Sequence, residues 1–244
     1  MLKNIKSKKL LRTLLLLVIL VLLVLVVTNF VRARFSNLDK KEFLKKFKYY
    51  DENDNLINHL ELEIDEQMDA ITYLTSDDVV LELGGRYGTV SVAIAHIQNN
   101  SGNLVVIEPD TRIINSLIKN KEINNANFTI VNKYISNKSK KMITDGYGTR
   151  MVNNDLETES NNMITYEEFK KEYPLNFNVL VADCESCVCD FIKDMGNDIN
   201  NYNKILLEAD FKDLCNYNKI LEFLISVGFK IVKNHDDFRY VLLK

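Results

Sequence analysis

The chain has only two prolines and eight glycines in 244 residues, and no Pro/Ser-rich stretch divides it. Without such a linker, composition argues against a second globular domain, and the length suits an N-terminal appendage plus one domain of roughly 200 residues. A surplus of charge is missing as well. The formal net charge is −3, so nothing in the bulk electrostatics asks for nucleic acid as a partner. Asn and Lys are abundant, yet no short repeat stands out.

What the sequence does have is a long apolar run near its start. From Thr13 to Val31 there is no charged residue, and Leu14 to Val27 is solid Leu, Ile and Val. At about 1.5 Å per residue such a run comes close to the ~30 Å hydrocarbon core of a bilayer. Residues 1–12 are then a basic tail with Lys3, Lys6, Lys8, Lys9 and Arg12, residues 13–31 a transmembrane anchor, and residues 32–59 a basic linker. A cleaved signal peptide with its cut near Val31-Arg-Ala33 is the main rival reading, although such a peptide's apolar region spans only about 7–15 residues, and a buried core helix is the remaining alternative. Basic residues flank both ends, so the positive-inside rule does not set the orientation.

The soluble part, residues 60–244, is organised around Val79-Val-Leu-Glu-Leu-Gly-Gly-Arg-Tyr-Gly-Thr-Val-Ser91. An uninterrupted apolar run reads as a strand buried on both faces. Gly84, Gly85 and Gly88 then mark a tight loop, after which Val90, Ala93, Ile94 and Ile97 recur at helical spacing. Strand, glycine turn and helix N-terminus let a ligand approach bare backbone. The dinucleotide pattern G-x-G-x-x-G fits poorly, because its first glycine falls on Leu83. The pattern E/D-x-G-x-x-x-G of S-adenosylmethionine (SAM) sites is matched by Glu82, Gly84 and Gly88. An acid inside the loop repels a pyrophosphate and attracts a sulfonium and an ammonium. A glycine turn that only packs strand on helix is the alternative.

Downstream, Leu60–Leu74 reads as an amphipathic helix. Asn103–Pro109 is a second buried strand ending on Glu108, where an acid is placed to accept hydrogen bonds from ribose hydroxyls or to cap the helix that follows. Phe128–Ser136 is a third strand. Residues 137–172 are long and polar, a substrate-facing flap or a disordered segment. Phe177–Ser186 is a fourth strand carrying Asp183 and Glu185 at its end, and Asn203–Asp210 a fifth, ending on Glu208 and Asp210. A helix and a closing strand pair, 229–233 and 238–243, complete a mostly parallel sheet with helices on both faces and one antiparallel strand.

Leu81–Thr89, Ile107-Glu-Pro-Asp110 and Ala182-Asp-Cys-Glu-Ser186, in this order, resemble a class I SAM-dependent methyltransferase, and more narrowly the FkbM family. The resemblance spans about Asp77 to Leu243 and implies a Rossmann-like methyltransferase fold. It implies SAM as cofactor, with Glu82, Gly84, Gly85 and Gly88 at the methionine end and Glu108 at the ribose. Asp183 falls at the boundary of cofactor and acceptor, and Asp183 with Glu185 would orient or deprotonate the acceptor. The acceptor class implied is a hydroxylated small molecule or glycan, methylated on oxygen. Three positions depart from the family pattern: Val181 replaces its lysine, Ser186 its glycine and Val188 an acid. These losses fall on the acceptor side and leave open a membrane-tethered SAM-binding scaffold without turnover.

Cys184-x-x-Cys187-x-Cys189 suggests thiolate ligands, but zinc takes four and only Cys215 remains. Ordinary buried or half-buried thiols are the expectation, a metal site or a disulfide the lesser alternatives, and unpaired cysteines favour the cytosolic face of a membrane. His235 is a weak candidate base, while His59 and His96 read as structural. The sequons at Asn99, Asn127 and Asn137 carry little weight in so Asn-rich a chain.

Overall fold

A computed structural model describes residue 19 and residues 39–145, 148–153 and 162–244. The chain divides into two compact units, residues 1–46 and 47–244. The expected anchor, 13–31, lies outside the described residues except for Ile19. Among the described residues no helix is long and apolar enough to cross a membrane.

In chain order, the second unit begins with β1 (Tyr49–Tyr50), β2 (Leu56–Ile57), α1 (His59–Leu62), α2 (Ile64–Tyr73), β3 (Val80–Leu83) and α3 (Thr89–Ile97). Next come β4 (Leu104–Ile107), α4 (Ile114–Ile123), β5 (Thr129–Val131), β6 (Tyr134–Ile135), β7 (Lys140–Asp145), β8 (Gly148–Asn153) and β9 (Met163–Ile164). The last part holds α5 (Tyr166–Glu172), β10 (Val179–Ala182), α6 (Cys187–Met195), β11 (Lys204–Glu208), α7 (Tyr217–Ser226), β12 (Lys230–His235) and β13 (Arg239–Leu243). Seven strands form one sheet in the order β12-β13-β11-β10-β3-β4-β5. The pairings among β11, β10, β3, β4 and β5 are parallel, and β13 runs antiparallel to both of its neighbours.

Every residue of β3, β4 and β10 is buried, as a strand covered on both faces requires. Leu81, Leu83, Leu180, Ala182, Ile205 and Leu207 face a core with Phe169, Phe191, Leu221 and Leu224. α3, almost wholly buried, packs with α2. Fully burying a side chain of this size contributes roughly 1.5–3 kcal/mol, so this core carries most of the stability.

Several expectations are corrected. The compact unit starts at Phe47, not residue 60, because the β1–β2 hairpin is stapled to α4. Asn120 Nδ2 donates to the carbonyls of Tyr50 and Tyr87 at 2.9 Å, and its Oδ1 accepts from Tyr50 N at 2.9 Å. The helix expected over Leu60–Leu74 breaks at Glu63, and α2 buries Gln67, Asp69 and Ala70 while Leu62 is exposed. Its polar residues have partners in the fold: Gln67 Nε2 donates to the His59 carbonyl at 3.0 Å, and Asp69 pairs with Lys233 at 2.5 Å. The third strand splits, since Tyr134–Ile135 leaves the main sheet and pairs with β9. Residues 137–172 hold a regular hairpin, β7–β8, whose tip at 146–147 lies outside the described residues. The cysteines are not thiols. Cys184 is bonded to Cys187 and Cys189 to Cys215, with Cα–Cα distances of 5.4 and 5.7 Å. A disulfide needs only pairwise reach, not the convergence of four ligands, and the chain after β11 brings Cys215 back to α6.

Candidate active-site cleft

The strand order reverses at β3, whose neighbours are β4 on one side and β10 on the other. Loops leaving such strands in opposite directions open a crevice at their carboxyl ends. There lies a cleft, partly open to solvent, lined by Glu82, Gly84, Gly85, Glu108, Asp183 and Glu185 among others. Six of the seven residues expected at the site from sequence are thus brought together; Gly88 is not in the lining.

The glycines turn out to serve packing first. Gly84 has φ +90°, and a Cβ there would stand 2.8 Å from the Asp183 carbonyl carbon and overlap its oxygen. Gly88 caps α3 at φ +79°, where a Cβ would meet Leu117 Cδ1 at 2.7 Å. A Cβ on Gly85 would overlap Val106. The loop is therefore pressed against β4, α4 and the end of β10, and its bare backbone faces the cleft.

Glu82 is 2% exposed, and among the described residues its Oε2 has no hydrogen-bond partner. Burial pushes its pKa up to about 8, with the carboxylates of Glu63, Asp183 and Glu108 adding to the effect. A buried acid with an unmatched oxygen costs free energy unless a cation comes to it. Glu108 is also buried. Its Oε2 accepts from Arg86 N at 2.7 Å and its Oε1 from Asp110 N at 2.8 Å. The acid thus accepts from backbone amides while lining the cleft, and each carboxylate oxygen has a further lone pair. Burial raises its pKa too.

On the other side of the crevice, Asp183 N donates to the Leu83 carbonyl at 3.0 Å, fixing the turn after β10 beside the glycine loop. Burial holds the Asp183 carboxyl well above its usual range, reinforced by Glu63, Glu66, Asp210 and Glu185. Glu208 is pushed up to about 10 by burial and then by Asp183. Carboxylate oxygens of Asp183, Glu208 and Asp210 lie within 4.8 Å of one another, close enough to converge on a cation.

Sequence reasoning missed the wall opposite. Glu63, Glu66 and Asp69, at and along α2, line the cleft, and Arg239 of β13 binds Asp65 at 2.7 Å and also Glu66. Register could have found the arginine, since Glu208 pairs with Arg239. Nothing local marks the α2 acids, which look like the solvent side of a helix. Thr149 of β8 and Tyr134 reach the lining, consistent with the flap expectation. His235 does not line the cleft. His59 packs edge-on against Tyr49 and His96 contacts the Asn124 carbonyl at 2.8 Å, both structural.

Numbered by their order in this sheet, the strands run 3-2-1-4-5-7-6 with only the seventh reversed, which is the Rossmann-like methyltransferase fold. Among solved structures, the chain is similar to a ribosomal protein L11 methylase from Lactobacillus delbrueckii subsp. bulgaricus, at 12% identity over 81% of this chain and 80% of that one, TM-score 0.47. It is similar to a precorrin-6y C5,15-methyltransferase from Geobacter metallireducens at 13% identity over 77% and 93%, TM-score 0.46. A methyltransferase from Pyrococcus furiosus shares 20% identity over 73% and 80%, TM-score 0.42. No family model and no curated protein matches the sequence. At TM-scores this low the likenesses add no argument of their own, and the class rests on the strand order.

Proposed function

We propose that this chain is a membrane-anchored SAM-dependent methyltransferase acting on oxygen of a hydroxylated acceptor, a sugar or glycan, after the FkbM pattern its motifs resemble. The observation that carries the reading is Glu82: a carboxyl 2% exposed, with an unmatched oxygen, at the end of the strand before the glycine loop. The cleft residues fit SAM. Glu82 would face the positive methionine end, the backbone of residues 84–88 would border it, and Glu108 would offer its remaining lone pairs to the ribose hydroxyls. When bound, SAM supplies an electrophilic methyl group on a sulfonium. The chain's own part is to place and deprotonate the acceptor. Asp183, raised by burial, is a stronger base than a solvated carboxylate once ionised, and it would take the hydroxyl proton as the oxygen is methylated. Glu185, at φ +51° in the same turn, would orient the hydroxyl toward the methyl group.

The test is calorimetric titration of the detergent-solubilised full-length chain with SAM and with NAD. Saturable SAM binding is expected, weakened roughly tenfold by Glu108→Ala through loss of a charge-assisted hydrogen bond, and no NAD binding. A folded chain that ignores SAM refutes the reading. A chain that binds SAM but turns over no sugar acceptor, with Asp183→Asn indistinguishable from the parent, is the tethered scaffold instead.

A further inference from the structure

The four cysteines sit where the two acid-bearing loops leave the sheet. Cys184 and Cys187 line the cleft, and their disulfide closes the turn that carries Glu185 and follows Asp183 directly. Within that turn Glu185 and Ser186 stand at φ +51° and +78°, conformations that side-chain-bearing residues adopt only when held. Cys189, in the first turn of α6, is bonded to Cys215, which follows Asp210 and precedes α7. The Cys184–Cys187 turn leans on the glycine loop. A Cβ at Gly84 would overlap the Asp183 carbonyl and stand 3.4 Å from Cys184 Cα, so neither loop moves without the other.

We infer that the Cys184–Cys187 disulfide is a positioning element: it holds the Asp183–Cys187 turn against the glycine loop, so that the cofactor side of the cleft is formed in the oxidised protein and loosened in the reduced one. The inference rests on the SAM reading for its functional consequence but not for its structural one. Reduction by dithiothreitol delivers two electrons and two protons, breaks the S–S bond to give the Cys184 and Cys187 thiols, and leaves the reagent as its cyclic disulfide. The turn then loses the covalent closure that held Glu185 and Ser186 in unfavourable backbone conformations, and it relaxes. Because Gly84 has no clearance from Asp183, the relaxation reaches residues 84–88. Disulfides persist outside the reducing cytosol, so the domain belongs in an oxidising compartment, contrary to the expectation from unpaired thiols.

The experiment is hydrogen exchange on the full-length, ligand-free chain, oxidised and after dithiothreitol, with Cys184→Ser/Cys187→Ser as a variant that keeps Cys189–Cys215. Faster exchange is expected at residues 183–187 and also at 84–88, in the reduced chain and in the variant alike, reversed in the chain by reoxidation. Faster exchange confined to 183–187 overturns the coupling, because a merely local staple would not move the glycine loop. Where SAM binds, its affinity falls roughly tenfold on reduction at a temperature well below unfolding and returns on reoxidation. An unchanged affinity overturns the positioning role. No SAM binding by the oxidised chain refutes the cofactor reading alone, and the exchange result still decides the coupling. If that variant does not fold, Cys189→Ser/Cys215→Ser compared oxidised and reduced isolates the Cys184–Cys187 bond instead. Alkylation of intact expressing cells before lysis checks the compartment: all four cysteines protected is expected, and labelled cysteines overturn that placement.

Discussion

Glu82→Gln separates stability from function at the acid on which the cofactor reading depends. The carboxyl has an ordinary value of 4.5 and a folded-state value of about 8. A group raised on folding contributes stability that is fully present below its unfolded value and lost as pH rises through its folded value. Ligand-free protein therefore loses up to about 1.4 kcal/mol per pH unit on account of this one group, on the order of 4 kcal/mol once pH 8 is reached. Glutamine has the same shape and cannot ionise, so the penalty disappears. Glu208, raised by burial, gives a trend of the same sign in parent and variant, which the comparison removes. Asp183, coupled to Glu82, is instead relieved when Glu82 cannot ionise and adds to the variant's advantage at pH 8. Thermal unfolding of the ligand-free full-length chain at pH 5 and pH 8 makes the measurement. At about 2–4 °C per kcal/mol for a domain of this size, the variant melts roughly 8–16 °C above the parent at pH 8 and within about 3 °C of it at pH 5. SAM affinity at pH 8 collapses at the same time, since the attraction for the positive methionine end is gone. A variant less stable than the parent at pH 8, or one that binds SAM as tightly, refutes the reasoning.

Gly84→Ala and Gly228→Ala share a left-handed backbone, φ +90° and +103°, but Gly84 lacks room, whereas among the described residues nothing lies within 4 Å of a Cβ at Gly228. Gly228→Ala costs about 1–2 kcal/mol of backbone strain, and Gly84→Ala costs at least about 2 kcal/mol more by forcing two loops apart; equal melting points would contradict the packing account. Lys204 Nζ contacts both oxygens of the buried Asp78 carboxylate, at 2.9 and 2.7 Å. Lys204→Met strands that carboxylate and lowers stability by about 3 kcal/mol in denaturant unfolding at pH 7, whereas Lys204→Met combined with Asp78→Asn recovers much of the loss. An unchanged midpoint for Lys204→Met would show that the pair contributes nothing.

What was legible in the sequence is what short-range pattern dictates. A short strand, apolar but for one acid and ended by glycines, as at Val80–Gly88, can be buried on both faces and turn sharply into a helix, and no partner is needed to see it. Repeated strand–helix alternation leaves a parallel sheet as the economical arrangement, so Glu82, Glu108 and Asp183 could be placed at one edge before any coordinates. Tertiary structure alone decided the rest. Glu66 and Asp69 look like the wet side of α2, and only the fold, by setting Arg239 opposite the first and Lys233 opposite the second, turns them toward the cleft. The cysteine pairing depended on where the loop after β11 returns, which brings Cys215 within 5.7 Å of Cys189 across 26 residues. Local sequence fixes dihedral preferences and burial patterns, whereas a through-space charge or sulfur partner is a property of chain return, set by the whole sheet at once.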